Sequence, residues 1–542
     1  MAWTRRQMLE LGAKLGLLSA TPLVPGCPTA STDDDDSAIE PDPWPPFEGC
    51  DPEVVDYQYD GPQGPEDLFQ HGVASGDPLA DAIMLWTKVS AGPEGPAEVE
   101  VYWEIAENPE FSPVLGSGLT STSAARDWTV KAESTCLRPG RRYWYRFSAL
   151  GRTSPVGRTK TAPYGEVENE RFAFCSCSSI QHGYFHGYRA LAEREDLDVV
   201  MHLGDYIYEF GNGEYGEVRD TVPEGETITL EDYRARHADY KRDVDLQAAH
   251  AAHPWICTWD DHETADNSWM DGANNHDAGE GPWDVRRAAG EQAYFEYLPI
   301  REGAEGILYR RLLRGSLLDV IVLDTRLIGR DEEASNNDEA YDPDRQLLGE
   351  EQEAWLLERL SESPSRWKLL AQQVVMGQWA LITDDQGRPT PFNKDSWDGY
   401  QAARTKLLEH VVGEGIDGLV VLTGDVHSSW ANDIAIDFTA YDPVTRDGAV
   451  AVEAVCPGIT SPGFGDLAGP LIDVNPHIRW GESRKRGFVI VDANQNRLQC
   501  DWYLFEDDQI EDPTYSAPFL AASFETRHGE PWWEEAAGPI GG

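Results

Sequence analysis

Three short patches of the sequence combine carboxylates with a phenol or an imidazole, and each patch directly follows an apolar run. They are Gly204-Asp205-Tyr206-Ile207-Tyr208, Trp259-Asp260-Asp261-His262-Glu263 and Gly424-Asp425-Val426-His427. Open α/β sheets bind ligands at the carboxyl ends of their strands, so side chains delivered there by separate strands converge on one point. Carboxylates and imidazoles are common metal ligands. The pattern therefore predicts a multinuclear metal centre with hydrolytic chemistry.

The first patch places a carboxylate and a phenol close together. Gly204 allows a sharp turn after the apolar strand, so that Asp205 faces the crevice. Tyr208 lies one turn further on if a helix starts here, and both side chains can then meet one ion. A phenolate suits a hard trivalent cation such as ferric iron; the alternative is a buried, hydrogen-bonded tyrosine.

The second and third patches concentrate further ligand types. Residues 260–263 carry three carboxylates and one imidazole, and like charges this close repel each other unless cations intervene. Asp425 and His427 are two positions apart, so in an extended segment they point the same way and both face the metals.

The elements that must position these residues change in character along the chain. Residues 68–162 show short β-type runs separated by Gly, Pro and Asn, which predicts a small fibronectin-like β-sandwich that packs or shapes the substrate site. After residue 163, strands alternate with helices, as in a layered α/β domain. The predicted buried strands are 172–175, 199–203, 320–323, 369–376 and 419–423. The predicted helices are 188–194, 233–252, 286–297 and 350–360, the last with Ala354, Leu357 and Leu360 on one face.

Composition narrows the classes of partner. The chain has 542 residues, enough for two or three cores, with 44 basic and 96 acidic side chains and a net charge of −52. This negative charge repels anions, so it disfavours non-specific binding to nucleic acid or to an anionic membrane surface. A salt-adapted source and an exported protein kept soluble by acidic residues both fit this charge. An anionic substrate needs local positive charge, which multivalent cations supply.

The N-terminus resembles an export signal. Residues 4–9, Thr-Arg-Arg-Gln-Met-Leu, resemble a twin-arginine motif, and Val24-Pro25-Gly26-Cys27 resembles a lipobox. We expect residues 1–27 to be a twin-arginine lipoprotein-like signal, with Cys27 either lipidated or lost in simple cleavage. Residues 28–67 then form an acidic, Pro-rich tether. No later run reaches the length of a transmembrane span. The expected location is the periplasm or cell surface, anchored by lipid or secreted.

The number of cysteines is too low for a disulfide scaffold. Eight are present in 542 residues, and an oxidising compartment permits some of them to pair, although the sequence does not indicate which.

The patches, taken with others in one order, resemble the PhoD-type branch of the calcineurin-like metallophosphoesterases. The likeness spans most of the chain and also includes residues 69–78, Leu323-Asp324-Thr325-Arg326 and Ser396-Trp397-Asp398-Gly399-Tyr400. It implies an α/β fold, a layered metallophosphoesterase sandwich over residues 163–510, after the small all-β domain. Residues 511–542 are expected to pack near the active site, with 517–535 as a lid or as a packed terminal helix.

The resemblance also implies a metal set, one ferric ion (Fe3+) with calcium (Ca2+) nearby. Cys177 takes the first iron-ligand position, Asp205 bridges metals and Tyr208 completes the iron side. The implied remaining metal ligands are Asp261, Asp425 and His427, with Asp260, Asp266 and Asn267 as further candidates for calcium.

Two residues take the catalytic roles. His262 occupies the position whose imidazole contacts the phosphoryl oxygens or protonates the leaving group. Arg326 follows a predicted strand, and its planar fork suits either a non-bridging phosphoryl oxygen or a neighbouring carboxylate.

Two departures from the family pattern bear on the metals. Cys175 is a rival to Cys177, because strand alternation puts both sulfurs on one face. Gln372 and Gln373 stand where many relatives carry a histidine ligand, and amides suit calcium better than a transition metal.

Three tryptophans either wall the cleft or belong to the core: Trp379, Trp397 and Trp430.

The predicted function is that of an exported, metal-dependent phosphoesterase of the alkaline phosphatase D type. It acts on phosphate esters, as monoesterase or diesterase, with a metal-activated water or oxo group as nucleophile. The alternatives are a phospholipase D-like phosphodiesterase and a non-catalytic, calcium-stabilised binding lipoprotein. His262 separates these classes, because a structural calcium site has no use for an imidazole.

Overall fold

The computed structural model describes residues 50, 53–92, 95–303 and 306–541. The predicted signal over residues 1–27, the lipidation site Cys27 and the tether as far as residue 49 lie outside the described residues. Among the described residues, no helix has both the length and the hydropathy that crossing a bilayer requires.

The described chain is built mainly from strands. In chain order they are β1 Val73–Gly76, β2 Ile83–Lys88, β3 Glu98–Ala106, β4 Gly116–Ser123, β5 Thr129–Ser134, β6 Arg142–Ala149, β7 Arg152–Thr153, β8 Gly157–Lys160, β9 Asn169–Cys175, β10 Val199–Leu203, β11 Pro254–Thr258, β12 Arg310–Arg314, β13 Leu318–Val322, β14 Trp367–Ala371, β15 Ala380–Thr383, β16 Pro389–Pro391, β17 Leu419–Thr423, β18 Ser429–Ala435, β19 Ala449–Val455, β20 Ile478–Glu482, β21 Gly487–Asn494, β22 Arg497–Leu504, β23 Phe519–Arg527 and β24 Glu530–Glu535. The α-helices are α1 His186–Ala192, α2 Leu230–Tyr240, α3 Val244–Ala252, α4 Trp283–Tyr297, α5 Asn337–Ala340, α6 Gly349–Glu362, α7 Gln401–Gly413, α8 Ala468–Val474 and α9 Asp507–Glu511.

Two large mixed sheets face each other across the main core. One has the order β24-β23-β22-β21-β9-β10-β11-β1-β2-β5 and the other β12-β13-β14-β17-β19-β18-β20. Between them lies a cluster that includes Phe174 and Met201 from the first sheet and Val320 and Val420 from the second. Helices cover the outer faces, with α1 to α4 on the first sheet and α6 and α7 on the second. This is the layered α/β sandwich that we expected.

The central strands follow from short apolar runs. Val199–Leu203 and Leu419–Thr423 are buried at every position, as parallel strands covered on both faces must be, and both were predicted with these bounds. The strand predicted over 369–376 is shorter, because β14 ends at Ala371. Beyond it, the side chain of Gln372 donates to the Val374 carbonyl and to Thr423 Oγ1 instead of continuing the strand pattern.

Two helix predictions need correction. The single helix predicted over 233–252 is two helices, because Asp243 accepts hydrogen bonds from the N–H groups of Asp245 and Leu246 and so begins α3 afresh. In α6 the buried residues are Gln352, Leu356 and Leu360. Of the predicted face, only Leu360 is buried, because the polar Gln352 is drawn inward by its hydrogen bonds to the backbone of Asp324.

The N-terminal all-β region has a small sheet of its own and also shares strands with the first large sheet. The small sheet, of order β4-β3-β6-β7 with β8 on β6, packs over β1, β2 and β5 around a core that includes Leu85, Val101 and Phe147. Strands β1, β2 and β5 also continue the first large sheet, since β1 pairs in parallel with β11. The all-β region is therefore joined to the α/β layers through a shared sheet.

The C-terminal segment is neither a lid nor a packed helix. Strands β23 and β24 form a hairpin that extends the first sheet beyond β22. Trp533 of this hairpin is fully buried in the core between the sheets. The apolar residues that suggested a helix alternate along strands, which puts part of them into the core.

The start of the described chain is tied to the all-β region. Cys50 forms a disulfide with Cys136. The Ser117 hydroxyl accepts a hydrogen bond from the Val55 N–H, and the Gly64 N–H donates to the Leu150 carbonyl. Residues 53–67, which we predicted as part of the tether, thus lie against β-strands.

Candidate metal centre and active site

Four strands deliver a candidate ligand at the same offset from their ends. Cys177, Asp205, Asp260 and Asp425 each lie two residues beyond the last residue of β9, β10, β11 and β17. The first three strands are neighbours in one sheet and the fourth belongs to the other. The carboxyl ends of strands from both sheets therefore open onto one crevice.

The backbone at these positions is unusual. Cys177, Asp205, Asp425 and His427 have φ values of 60°, 55°, 63° and 47°, in the left-handed region that non-glycine residues seldom adopt. Strained conformations persist where the surroundings enforce them, and they cluster at functional sites. Gly204 supports this geometry, because a Cβ there would lie 2.4 Å from Asp260 Cβ.

The candidate ligands form three overlapping groups whose ligand atoms lie within 4.8 Å of one another. The groups are Cys177 with Asp205 and His427, Asp205 with Asp261 and His262, and Asp260 with Asp261 and Asp425. Asp205 belongs to the first two groups and Asp261 to the last two. The three groups thus form a continuous series joined by shared carboxylates.

The first group combines a thiol, a carboxylate and an imidazole, and Tyr208 adds a phenol. Tyr208 Oη donates to Asp205 Oδ2 at 3.1 Å and lies 3.1 Å from His427 Nε2. The predicted helical turn from Asp205 to Tyr208 does not form; a non-helical turn brings the two side chains together instead. Burial, together with the Asp205 carboxylate, raises the pKa of both the Cys177 thiol and the Tyr208 phenol well above their usual values.

The second group contains the predicted catalytic imidazole. His262 Nδ1 lies 2.7 Å from Glu209 Oε2, which leaves Nε2 as the ring nitrogen available to a ligand. Burial opposes protonation of His262, but the carboxylates of Asp261 and Glu209 outweigh it and hold the pKa of the imidazole well above its usual value. The ring also packs on Tyr208, with centroids 4.2 Å apart.

The third group consists of carboxylates held by one buried guanidinium. Arg326 is fully buried and donates to Asp260 Oδ1, to Asp425 Oδ1 at 2.7 Å and to Asp395 Oδ2 at 2.7 Å. Burial raises the pKa of the Asp260 and Asp425 carboxyls well above the usual value, although Arg326 opposes this. Of the two interpretations of Arg326, the structure shows pairing with neighbouring carboxylates.

Asp425 and His427 do not point the same way. The segment that carries them is not extended, and the Val426 N–H donates to the Gly424 carbonyl at 2.7 Å. Asp425 therefore joins the carboxylate group beside Arg326, whereas His427 joins the thiol group, with Nδ1 3.1 Å from the Pro462 carbonyl.

The remaining residues proposed from the sequence lie outside the three ligand groups. Cys175 packs in the apolar core outside the first sheet, apart from the three groups. Gln372 and Gln373 bind scaffold atoms, among them Thr423 Oγ1 and Thr325 Oγ1. Asp266 Oδ1 lies 4.0 Å from His262 Nε2, and the Asn267 N–H donates to Asp261 Oδ2 at 2.5 Å. The three tryptophans are core residues: Trp379, Trp397 and Trp430.

Sequence reasoning missed three supporting residues. Glu263 accepts the N–H groups of Asp205, Tyr206 and Asp260, at 3.1, 2.6 and 2.8 Å, and so holds the loops after β10 and β11 together. Glu209 orients His262, and Ser461 Oγ donates to Tyr208 Oη at 2.7 Å. Glu263 belongs to the second patch and Glu209 directly follows the first, so sequence analysis could have assigned them a role, whereas Ser461 carries no local signal.

The donor set fits metal ions. Asp205 Oδ1 and Asp260 Oδ2 are buried and have no hydrogen-bond partner among the described residues. An unsatisfied buried carboxylate oxygen is costly, and a cation removes that cost. The sulfur, nitrogen and phenol donors of the first group suit a transition metal, whereas carboxylates alone suit a hard ion such as calcium.

Comparison with known proteins shows which family the chain resembles. A family model described as "PhoD-like phosphatase" matches residues 172–502, and one for the N-terminal domain of such phosphatases matches residues 57–163. The chain belongs to the PhoD-like phosphatase family. A relative of this family, alkaline phosphatase D of Bacillus subtilis (strain 168), is 39% identical over 460 residues, which cover 80% of this chain and 77% of that protein. A solved structure titled "Structure of PhoD" has a TM-score of 0.81 and 35% identity, over 89% of this chain and 94% of the other.

Membership of the PhoD-like family makes this chain a phosphoric ester hydrolase whose substrates are phosphate esters. The expected family, fold class and enzyme class are thereby confirmed.

Proposed function

We propose that this protein is an exported, metal-dependent phosphoesterase that hydrolyses phosphate esters as a monoesterase or diesterase at the three ligand groups. The observation that carries the proposal is the position of Asp205. Its carboxylate belongs to both the thiol group and the His262 group, and its Oδ1 atom has no hydrogen-bond partner among the described residues. Such a shared carboxylate suits two ions held side by side.

The proposed ions are Fe3+ in the first group and Ca2+ in the groups that contain Asp261. Cys177, Asp205, Tyr208 and His427 would hold the ferric ion, and Asp260, Asp261 and Asp425 would hold calcium. When bound, such ions polarise phosphoryl oxygens and lower the pKa of water, which supplies a nucleophile without a serine.

The chain's own residues bind and orient the reacting groups. His262, held by Glu209 through Nδ1, presents Nε2 either to a phosphoryl oxygen or to the leaving-group oxygen. The carboxylates of Asp261 and Glu209 raise the pKa of the imidazole and so favour its protonated form, which can donate a proton to a departing alkoxide. Arg326 acts on Asp260 and Asp425 and keeps their carboxylates in place.

Export by the twin-arginine route, to the periplasm or cell surface, is part of the proposal. It is supported by the Arg5-Arg6 motif and by the lipobox-like residues that end at Cys27. The disulfide between Cys50 and Cys136 also supports it, since disulfides persist in oxidising compartments outside the cytoplasm.

The test is hydrolysis of an aryl phosphodiester and an aryl phosphomonoester by the purified protein, before and after calcium chelation. We expect activity to disappear on chelation and to return when calcium is added. Metal analysis of the same sample should find iron that survives the chelation. A folded protein with iron and calcium that turns over neither ester would refute the proposal.

A further inference from the structure

A basic stretch interrupts this acidic chain. Residues 138–160 contain seven Arg and Lys residues and no Asp or Glu, in a protein that has 96 acidic and 44 basic residues. The stretch forms the turn before β6, then β6, β7 and β8. Its charge therefore opposes that of the molecule as a whole.

The fold gathers these charges on one face. Tyr143, Tyr145 and Phe147 of β6 point into the core of the all-β region, so the alternate side chains point outward. Across the β6–β8 ladder, Arg142 is opposite Lys160, and Trp144 is opposite Arg158. With Arg138 and Arg141 from the turn, these residues make up the basic face, which is defined here as Arg138, Arg141, Arg142, Trp144, Arg158 and Lys160.

Most of these basic residues form no ion pair among the described residues, although Glu107 and Glu195 lie near them. Lys160 pairs with Asp198. The structure shows no ion pair, among the described residues, for four other members of the face: Arg138, Arg141, Arg142 and Arg158. Like charges directly opposite each other destabilise a sheet, and here Arg142 lies opposite Lys160. Burial and the charge of Arg142 lower the pKa of Arg158, which shows the same repulsion.

The face also has a concave surface. A cavity of about 550 Å³ is lined by Arg138, Arg141, Arg142, Trp144 and Lys160 with Glu107 and Gly140. The three arginines are exposed and Trp144 is half-buried. Arginine with a partly exposed tryptophan suits phosphate groups at a membrane interface, where indole rings are enriched.

The position of the face separates it from the catalytic centre. Lys160 reaches Asp198, directly before β10, and Arg158 Nε donates to the Ala252 carbonyl, shortly before β11. The metal groups lie beyond the other ends of these strands. Five residues of strand span about 17 Å. The basic face and the centre are therefore at opposite ends of the first sheet.

The described chain begins beside this face. Cys50 is joined by its disulfide to Cys136, two residues before Arg138. An anchor at Cys27 would therefore join the described part of the chain on the side that carries this face.

We propose that the basic face docks the protein on the anionic phosphate headgroups of a lipid bilayer. The proposal rests on the export part of the proposed function, but not on the metal chemistry. It refines the expectation from net charge, because a charge of −52 does not describe this face. At physiological salt the Debye length is about 8 Å, so acidic residues far from the face are screened while the face and the headgroups are in contact.

The test measures partition of the full-length chain with Cys27→Ser, which carries no lipid, onto vesicles. The vesicles are phosphatidylcholine with about one third phosphatidylglycerol, or phosphatidylcholine alone, at about 0.15 M and about 1 M salt. Each basic residue near an anionic surface changes partition by about 5-fold. We expect binding to the anionic vesicles only, lost at high salt, and at least about 100-fold weaker for the variant Arg138→Gln/Arg141→Gln/Arg142→Gln.

The matched control is the variant Lys406→Gln/Arg484→Gln/Arg527→Gln. It changes the net charge equally at exposed side chains outside the face. It should bind as the parent does. The variant Arg138→Gln/Arg141→Gln alone, which leaves the bond from Arg142 to the Glu195 carbonyl intact, guards against a folding defect. Hydrolysis of a soluble aryl phosphodiester should be the same in all of them, so a failed docking proposal remains distinct from a failed phosphoesterase proposal.

Several results would overturn the docking proposal. Equal loss of binding in the control variant would mean that net charge, not the face, governs partition. Binding of soluble polyphosphate through the face, without vesicle binding, would assign it to a polyanion instead. Vesicle binding that appears only after Asp33 to Asp36 are changed to Asn would mean that the chain's own acidic segment covers the face.

Discussion

Glu209 Oε2 lies 2.7 Å from His262 Nδ1, and both side chains are almost completely buried. A carboxylate in this position fixes the tautomer and the orientation of the ring, and it stabilises the protonated imidazole. Glu209 also accepts the Asp266 N–H and a hydrogen bond from Asn275 Nδ2, so its own position is fixed.

Replacement of Glu209 by Gln should therefore act through His262. We expect kcat to fall by about 100-fold, with the limb of the pH profile that reports the imidazole moved to lower pH, because a charge that favours protonation is lost. The measurement is kcat and KM against pH for Glu209→Gln, His262→Asn and the double variant. The double variant should be no worse than His262→Asn alone. Additive losses would mean that Glu209 does not act through the histidine.

Removal of Arg326 should make stability depend on calcium. Arg326→Met leaves the carboxylates of Asp260, Asp395 and Asp425 without their buried guanidinium. Breaking a buried ion pair costs about 3–5 kcal/mol, and calcium should restore much of it if these carboxylates bind the ion. The measurement is thermal unfolding with and without calcium. Arg404→Met, which breaks a buried pair with Asp398 elsewhere, is the control, and calcium should stabilise it no more than it stabilises the wild-type protein.

Substitutions of Cys175 and Cys177, at the end of β9, should differ in their effect on iron binding. Cys177→Ser removes a thiol from the first group, and we expect iron affinity to fall by at least about 10-fold. Cys175→Ser places a hydroxyl in an apolar core, so it should cost about 1–3 kcal/mol of stability without loss of iron. Elemental analysis after dialysis, with an unfolding curve for each variant, separates the two effects. Iron loss in the Cys175 variant alone would reverse the assignment.

Lys241, a buried lysine, should make the free energy of unfolding depend on pH. Lys241 Nζ lies 3.1 Å from His250 Nε2, and burial lowers the pKa of the ammonium from 10.5 to about 7. Between pH 7 and 10.5 the unfolded chain binds this proton and the folded chain does not, so the free energy of unfolding rises with pH in this window. Below pH 7 the folded and the unfolded chain both carry this proton, so burial of the charged ammonium destabilises the fold by its full amount.

The matched variant is Lys241→Met. Relative to it, the wild-type protein should gain about 1.4 kcal/mol of stability per pH unit across most of the window. Denaturant unfolding of both proteins at several pH values measures this slope. Parallel curves would show that Lys241 keeps its proton in the fold, through its contacts with the rings of Trp86 and Tyr206.

Local sequence signals were enough to predict two central strands with their bounds, and the candidate ligands that follow them. Val199–Leu203 and Leu419–Thr423 are continuous apolar runs closed by Gly-Asp, and such local signals survive in any fold that buries them. The predicted residues at these ends, among them Cys177, Asp205 and His262, do lie together in the structure. The order of these motifs also identified the family before any geometry was known.

The division of these residues among the three ligand groups depends on contacts that form only in the folded chain. Left-handed backbone at Asp425 and His427 sends the two side chains to different groups, against the alternation of an extended strand. The long-range pairing of Arg326 with Asp425 and the alignment of basic residues across β6 and β8 arise from contacts between distant segments. Periodicity reports on neighbours along the chain, whereas hydrogen bonds and charge pairs form between residues that only folding brings together.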